Sequence, residues 1–211
     1  MQSLPHSPAA DRNKEPILAQ LQSILGEYGK ALEIASGTGQ HATWFAANLP
    51  GWTWQPTDFD AESLPVIAAR VAQAGLGNVL HPLQLDVTQP QWPLADQFDL
   101  VFCANMLHIA PWEACAGLMA GAARHLAPEG MLVTYGPYFE SGVSAAPGNL
   151  AFDESLRARH PSWGIRHLDD VVKQAGAQGL ALARRHAMPA NNLLLVFRAW
   201  MSPDGPRPAS S

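Results

Sequence analysis

The sequence predicts an α/β fold: a Rossmann-like, seven-stranded, mostly parallel sheet with helices on both faces and an antiparallel C-terminal hairpin. Three observations predict it. Apolar strand-like runs alternate with helical stretches from residue 31 to residue 135, with no repeat and no linker. That rhythm is the pattern of a parallel sheet covered on both sides. The first run breaks into Gly37-Thr38-Gly39 and passes straight into a helix. The chain closes on two apolar runs, Leu180 to Ala187 and Asn192 to Trp200, joined by Met188-Pro189-Ala190-Asn191.

Each element follows from local chemistry. Met1 to Ala10 is rich in Pro and Ser and is expected to be flexible, so residues 1–11 stand outside the domain. Asp11 to Pro16 opens a helix in which Ile17, Leu18, Leu21, Ile24 and Leu25 recur at helical spacing, with Pro16 in its first turn. Ala31 to Ala35 is the first strand, and the helix after the glycine turn runs to about Leu49. Pro50-Gly51 turns the chain into a second strand, Trp52 to Thr57, followed by a helix from Ala61 to Ala74. Val79 to Leu85 is a third strand ending at Asp86, and Thr88 to Gln97 is a loop. Phe98 to Cys103 is mostly apolar, as a strand buried on both faces must be. Trp112 to Leu126 is a helix and Met131 to Tyr135 the fifth strand. Gly136 to Gly148 is too long for a plain connection and reads as a functional loop. Helices follow at Asn149 to His160, with Asn149 as N-cap, and at His167 to Gly176. Residues 12–201 form one domain, and the Pro- and Ser-rich residues 202–211 a disordered tail.

Composition narrows the function classes. The 211 residues are 47% hydrophobic and 15% charged with a net charge of −5, and no run of Lys or Arg makes a basic stripe. A phosphate track for nucleic acid needs such a stripe. The two cysteines, Cys103 and Cys115, have neither CxxC nor metal spacing and read as reduced core thiols. No apolar run approaches the ~20 residues of a membrane span, and Met1 to Ala10 lacks the pattern of a secretory signal. These features predict a cytoplasmic protein with no nucleic-acid or membrane partner, no metal and a small-molecule substrate, as a monomer or homodimer.

The glycine turn carries the chemistry. Gly37 and Gly39 let the backbone turn sharply and approach a ligand, while the N–H groups of the next helix face it. Gly37-Thr38-Gly39-Gln40-His41-Ala42 fits the dinucleotide fingerprint G-x-G-x-x-[GA], and Asp58 lies at a distance suited to hold a ribose. That pattern fits NAD as well as S-adenosylmethionine. Three details favour S-adenosylmethionine. Glu33 sits inside the first strand, where a carboxylate repels a pyrophosphate but suits an ammonium. Asp86 ends the third strand, where it can accept from an adenine amino group. The chain closes on a hairpin. An NAD-dependent oxidoreductase would also want a Tyr-x-x-x-Lys proton donor, which is not evident.

This combination resembles the class I S-adenosylmethionine-dependent methyltransferases. Residues along nearly the whole chain narrow the resemblance: Arg12-Asn13-Lys14, Leu32 to His41, Trp54-Gln55-Pro56, Asn105-Met106-Leu107-His108-Ile109, Tyr135-Gly136-Pro137, Phe152-Asp153, Trp163 to Arg166 and Met188 to Asn192. They are similar to the methyltransferase-like protein twenty-six family, whose function is unknown. Ser144 to Gly148 departs from that pattern and only Asn149 keeps its place. The resemblance implies a fold and a cofactor, and names no acceptor. It implies a cofactor site of Glu33, Ala35, Ser36, Gly37, Gly39, Asp58 and Asp86, with Phe59 and Val87 around the adenine and Asn105 and Met106 near the sulfonium.

His108 is the candidate general base, because its ordinary pKa lies near neutrality; its alternative role is to pack beside the site. Arg12, Asn13 and Lys14 open a helix expected to lie over the cofactor edge as a lid. Tyr135, Tyr138, Asn149, Arg157, Trp163 and Arg166, with Arg12 and Asn13, are the candidate substrate contacts. The D/N-P-P-Y/F signature of amino-methyltransferases is absent after the fourth strand. The expected reaction moves a methyl group to an O, N or S atom of a small molecule. A catalytically idle S-adenosylmethionine-binding or interaction module, and an NAD-dependent oxidoreductase, are the alternatives.

Overall fold

The computed structural model describes residues 3–200. The expected tail at 202–211 lies outside the described residues. The element order is α1 (Pro8–Ile24), β1 (Gly29–Ile34), α2 (Gln40–Asn48), β2 (Trp52–Asp58), α3 (Ser63–Ala74), β3 (Leu83–Gln84), β4 (Phe98–Ala104), α4 (Trp112–His125), β5 (Leu126–Phe139), α5 (Pro147–Arg159), β6 (Arg166–His167), α6 (Leu168–Gly176), β7 (Leu180–Met188) and β8 (Asn192–Ala199).

The sheet runs β3-β2-β1-β4-β5-β8-β7, with the two-residue β6 beside the end of β5 as an eighth strand. β1 to β5 are parallel, and β8 and β7 close the sheet antiparallel. The order reverses between β1 and β4, which makes the carboxyl ends of those strands the switch point of the sheet.

Alternation along β4 builds two cores. Leu100 and Phe102 join Ile17, Leu21, Phe45 and Trp54 beneath α1 and α2. Val101 and Cys103 join Cys115, Leu118, Met119 and Val171 beneath α4 and α6. The period of two in a strand sends successive side chains to opposite faces, so both faces of β4 are apolar. Cys103 and Cys115 are free and buried, and burial pushes both thiols up.

Several local expectations are corrected. α1 starts at Pro8, because the Ser7 hydroxyl caps the Ala10 amide at 3.3 Å. Pro16 therefore lies inside the helix, and it has no N–H to give to the Arg12 carbonyl one turn back. The expected strand Val79 to Leu85 reduces to β3 plus one Trp54–Val79 bridge, because Pro82 interrupts the ladder. β5 continues through Gly136 to Phe139, because β8 pairs up to Pro137 and β6 pairs Tyr138 and Phe139. Only Glu140 to Ala146 remains a loop. Asn149 is not the N-cap of α5; Ala146 holds that position.

Candidate functional site

A cavity of about 1040 Å³ opens over the carboxyl ends of β1, β4 and β5. Its floor is the turn after β1. Gly37 and Gly39 have φ of 55° and 73° there. A Cβ on Gly39 would come to 3.2 Å from the Ile67 Cα, so α3 seats against that glycine. A Cβ on Gly37 would meet nothing within 4 Å, so its backbone faces open space. Asp58, at the end of β2, fixes the turn: its carboxylate accepts from the Gly37 amide at 2.7 Å and from the Asp60 amide at 2.9 Å. No side chain caps the N-terminus of α2, which leaves its first amides without intrahelical partners.

Backbone strain gathers at this cavity. Among the described residues, the non-glycine residues at positive φ are Ala35, Asn105, Ala190 and Asn191. All four line it. A left-handed alanine costs of order 1 kcal/mol, and such residues persist where the surrounding structure over-determines them, as at ligand sites.

α1 roofs the cavity. The His41 imidazole bonds the Asn13 carboxamide oxygen at 2.6 Å and stacks on Phe45. Burial, and then the charge of Lys14, lower His41 to about 4, so the neutral ring donates Nε2–H to Asn13. The Ser7 amide donates to Gln40 Oε1 at 2.6 Å, and the Thr38 hydroxyl donates to the same oxygen at 2.9 Å. Gln40 thus ties the start of α1 to the glycine turn. The Tyr135 phenol lies beside Asn13, and burial raises its pKa.

The opposite wall comes from the loop after β4 and from α5. Asn105 turns there at φ 61°, its amide donating to the Tyr135 carbonyl at 2.8 Å. His108 is 6% exposed and meets the Phe152 ring edge-on at 5.4 Å. Burial, then the charges of Arg166 and Arg159, lower it to about 4. It is neutral at pH 7 and a weak base. Asn149, Phe152, Leu156 and Arg159 recur at helical spacing on α5. Leu156 is buried, while Asn149, Phe152 and Arg159 line the cavity.

The structure brings together nine of the predicted site residues: Arg12, Asn13, Ala35, Ser36, Gly37, Asn105, His108, Tyr135 and Asn149 line one cavity. Gly39 and Asp58 stand directly behind the glycine turn. The others are placed elsewhere. Glu33 does not reach the cavity; it is buried and accepts from the Trp54 indole at 2.6 Å. Burial raises it to about 8, against the opposing pull of that indole. Asp86 is occupied by its own turn, accepting from the Thr88 amide and hydroxyl and from Gln89. Burial pulls it up, but these bonds outweigh burial and hold it below its ordinary value. Phe59 is 67% exposed on the surface, and Val87 and Met106 pack into the α4 core.

Four substrate candidates are also displaced. The Tyr138 hydroxyl donates to Thr134 at 2.8 Å inside the core, because the strand period turns it away from Tyr135 and Pro137. Arg157 pairs with Asp153 on α5 at 2.7 Å. Trp163 packs on His160 and under Arg159. Arg166 donates to the carbonyls of Leu107, Ala110 and Ser162, so it holds the loop that carries His108. Lys14 pairs with Asp11 beyond the cavity.

Sequence reasoning missed Gln40, Phe152, Arg159 and Asn191 as lining residues. One signal was available. Phe152 and Arg159 are seven apart, on one helix face with Leu156, whereas Arg157 sits about 200° from Arg159. No cluster of metal-ligating side chains occurs among the described residues. No helix there is long and apolar enough to cross a membrane.

Solved structures share this architecture. CalO1, a methyltransferase in calicheamicin biosynthesis determined in an SAH-bound form, matches with a TM-score of 0.72 at 15% identity, over 91% of this chain and 55% of that one. The mitomycin 7-O-methyltransferase MmcR matches with a TM-score of 0.78 at 14% identity, over 91% and 54%. An O-methyltransferase family 2 protein from Planctomyces limnophilus, in complex with apigenin, matches with a TM-score of 0.74 at 17% identity, over 91% and 60%. The chain therefore spans between 54% and 60% of the length of these three proteins. At such identities the likeness shows the fold, a Rossmann-like methyltransferase fold. A family model also matches residues 4–199, nearly the whole chain. The protein belongs to that family, described as Protein of unknown function (DUF938).

Proposed function

We propose that this chain is an S-adenosylmethionine-dependent methyltransferase acting on a small molecule. The observation that carries the reading is the cavity. At about 1040 Å³ it exceeds the roughly 300–1,000 Å³ of a single-ligand pocket. It runs from the glycine turn to the wall of His108 and Phe152, with room for a donor at one end and an acceptor at the other. The open backbone at Gly37 and the carboxylate of Asp58 behind it fit a ribose-bearing cofactor. Asn105 and Tyr135 also line it. The named roles of the structural neighbours, in calicheamicin and mitomycin chemistry, support a small-molecule acceptor.

When bound, the cofactor supplies a methyl group on an electrophilic sulfur. The chain's own residues orient the acceptor and exclude water. α1 does the latter, through Asn13 and Gln40. His108, held neutral, is assigned to position the acceptor by hydrogen bonding. A base with a pKa near 4 is poorly matched to removing a proton from a weak acid at pH 7. An acceptor that ionises by itself suits this site.

Calorimetry tests the donor: S-adenosylmethionine and S-adenosylhomocysteine are expected to bind, and NADH is not. Asp58→Ala is expected to weaken S-adenosylhomocysteine by at least about ten-fold, by freeing the Gly37 amide and loosening the glycine turn that floors the cavity. Binding of NADH in place of S-adenosylmethionine would overturn the proposal. Incubation with methyl-labelled S-adenosylmethionine and fractionated metabolites then identifies the acceptor.

A further inference from the structure

The cavity has a charge pattern opposite to that of the chain. The chain carries a net charge of −5 and has 18 Asp and Glu residues. Among the described residues no carboxylate lines the cavity, while Arg12 and Arg159 do. Neither arginine is in an ion pair among the described residues. The neighbouring Arg157, by contrast, is paired with Asp153.

Arg159 is held at its place by construction. Its guanidinium lies over the Trp163 ring at 5.5 Å, and its Nε donates to the Ser155 carbonyl at 3.3 Å. Its terminal nitrogens have no hydrogen-bond partner among the described residues. It shares one face of α5 with Phe152, which is 37% exposed and meets His108 edge-on. A partly exposed phenylalanine and an unpaired guanidinium, two helical turns apart on one face of α5, present an apolar surface and a cation to the same cavity. Arginine in that arrangement binds a planar carboxylate in a forked geometry.

We infer that the acceptor is a small aromatic acid, its ring against Phe152 and His108 and its anionic group on Arg159. This rests on the methyltransferase reading for the word acceptor, but the binding claim stands on the side chains alone.

The test uses two probes of equal shape, 2-naphthoate and the neutral 2-naphthamide. Each is titrated calorimetrically into the full chain at low salt, with and without S-adenosylhomocysteine. The wild type is expected to bind naphthoate about ten-fold or more tightly than naphthamide. Arg159→Gln is expected to abolish that preference, and Arg159→Lys to restore part of it. Phe152→Ala is expected to weaken both probes alike. Circular dichroism of each variant checks that it folds. The inference is overturned if naphthamide binds as well as naphthoate, if the preference survives Arg159→Gln, or if neither probe binds at about 1 mM. Failure of S-adenosylhomocysteine to bind, with the naphthoate preference intact, sinks the donor reading and leaves this one standing.

Discussion

Glu33→Gln separates a buried structural acid from a ligand of the cofactor. Glu33 is 2% exposed, and burial raises it from 4.5 to about 8. Between those values the unfolded chain has lost the proton that the folded chain keeps. At this site the folded state therefore binds more protons, and the contribution of Glu33 to stability falls as pH rises from about 4.5 to about 8. At about 1.4 kcal/mol per pH unit, the whole span is worth about 5 kcal/mol. Glutamine keeps an oxygen for the Trp54 indole and cannot ionise. The difference in unfolding free energy between variant and wild type is thus expected to move by about 2 kcal/mol in favour of the variant between pH 6 and pH 7.5. In urea, at about 2–3 kcal/mol per molar, that is a relative midpoint shift of about 0.7–1 M. A difference that stays flat across this range would mean that Glu33 is already ionised in the fold, and the account of its burial would fail. The second readout is S-adenosylhomocysteine affinity. It is expected to stay within about three-fold, because Glu33 does not line the cavity.

Three further outcomes are expected. His41 and His108 are both lowered to about 4 by burial, so their ring resonances should stay unmoved from pH 8 to about 5.5 in NMR. Unfolding exposes them to protonation, and each should take away stability as pH falls below about 6.5. Gly121→Ala should destabilise by about 1–3 kcal/mol in thermal unfolding, since a Cβ there would fall 1.9 Å from the Trp92 ring; an unchanged melting temperature would show that Trp92 moves aside freely. Arg166→Ala should cost about 3 kcal/mol through the carbonyls of Leu107, Ala110 and Ser162, while Arg157→Ala should cost under about 1 kcal/mol. Equal costs in denaturant titrations would contradict the roles given to the two arginines.

The alternation of strand and helix, the glycine turn and the closing hairpin were legible in the chain because each is a local signal. Period two along β4, Gly37 and Gly39 after an apolar run, and Asp58 at the end of the next strand all declare themselves within a few residues. Parallel topology also put Asn105 to His108 at the carboxyl edge of the sheet, and the cavity lined by Ala35, Asn105, His108 and Tyr135 opens there. Local signals failed where a distant partner decides. Glu33 faces Trp54 because β1 and β2 pair in one register, with Leu32 opposite Gln55. β5 runs past Tyr135 because β8 and β6 supply partners for its backbone, and that strand period sends Tyr138 into the core.

The sequence by itself determined the fold class, the place of the glycine turn and the sheet edge over which the cavity opens. Only the tertiary structure decided which arginine faces the cavity and which merely braces it. Arg157, Arg159 and Arg166 are chemically alike. Arg157 meets Asp153 and Arg166 meets three carbonyls, while Arg159 meets a tryptophan face and open space. A charge is committed or left free by what lies within a few ångströms of it. For a residue on a helix, that is set by the phase of the helix and by the neighbours it packs against.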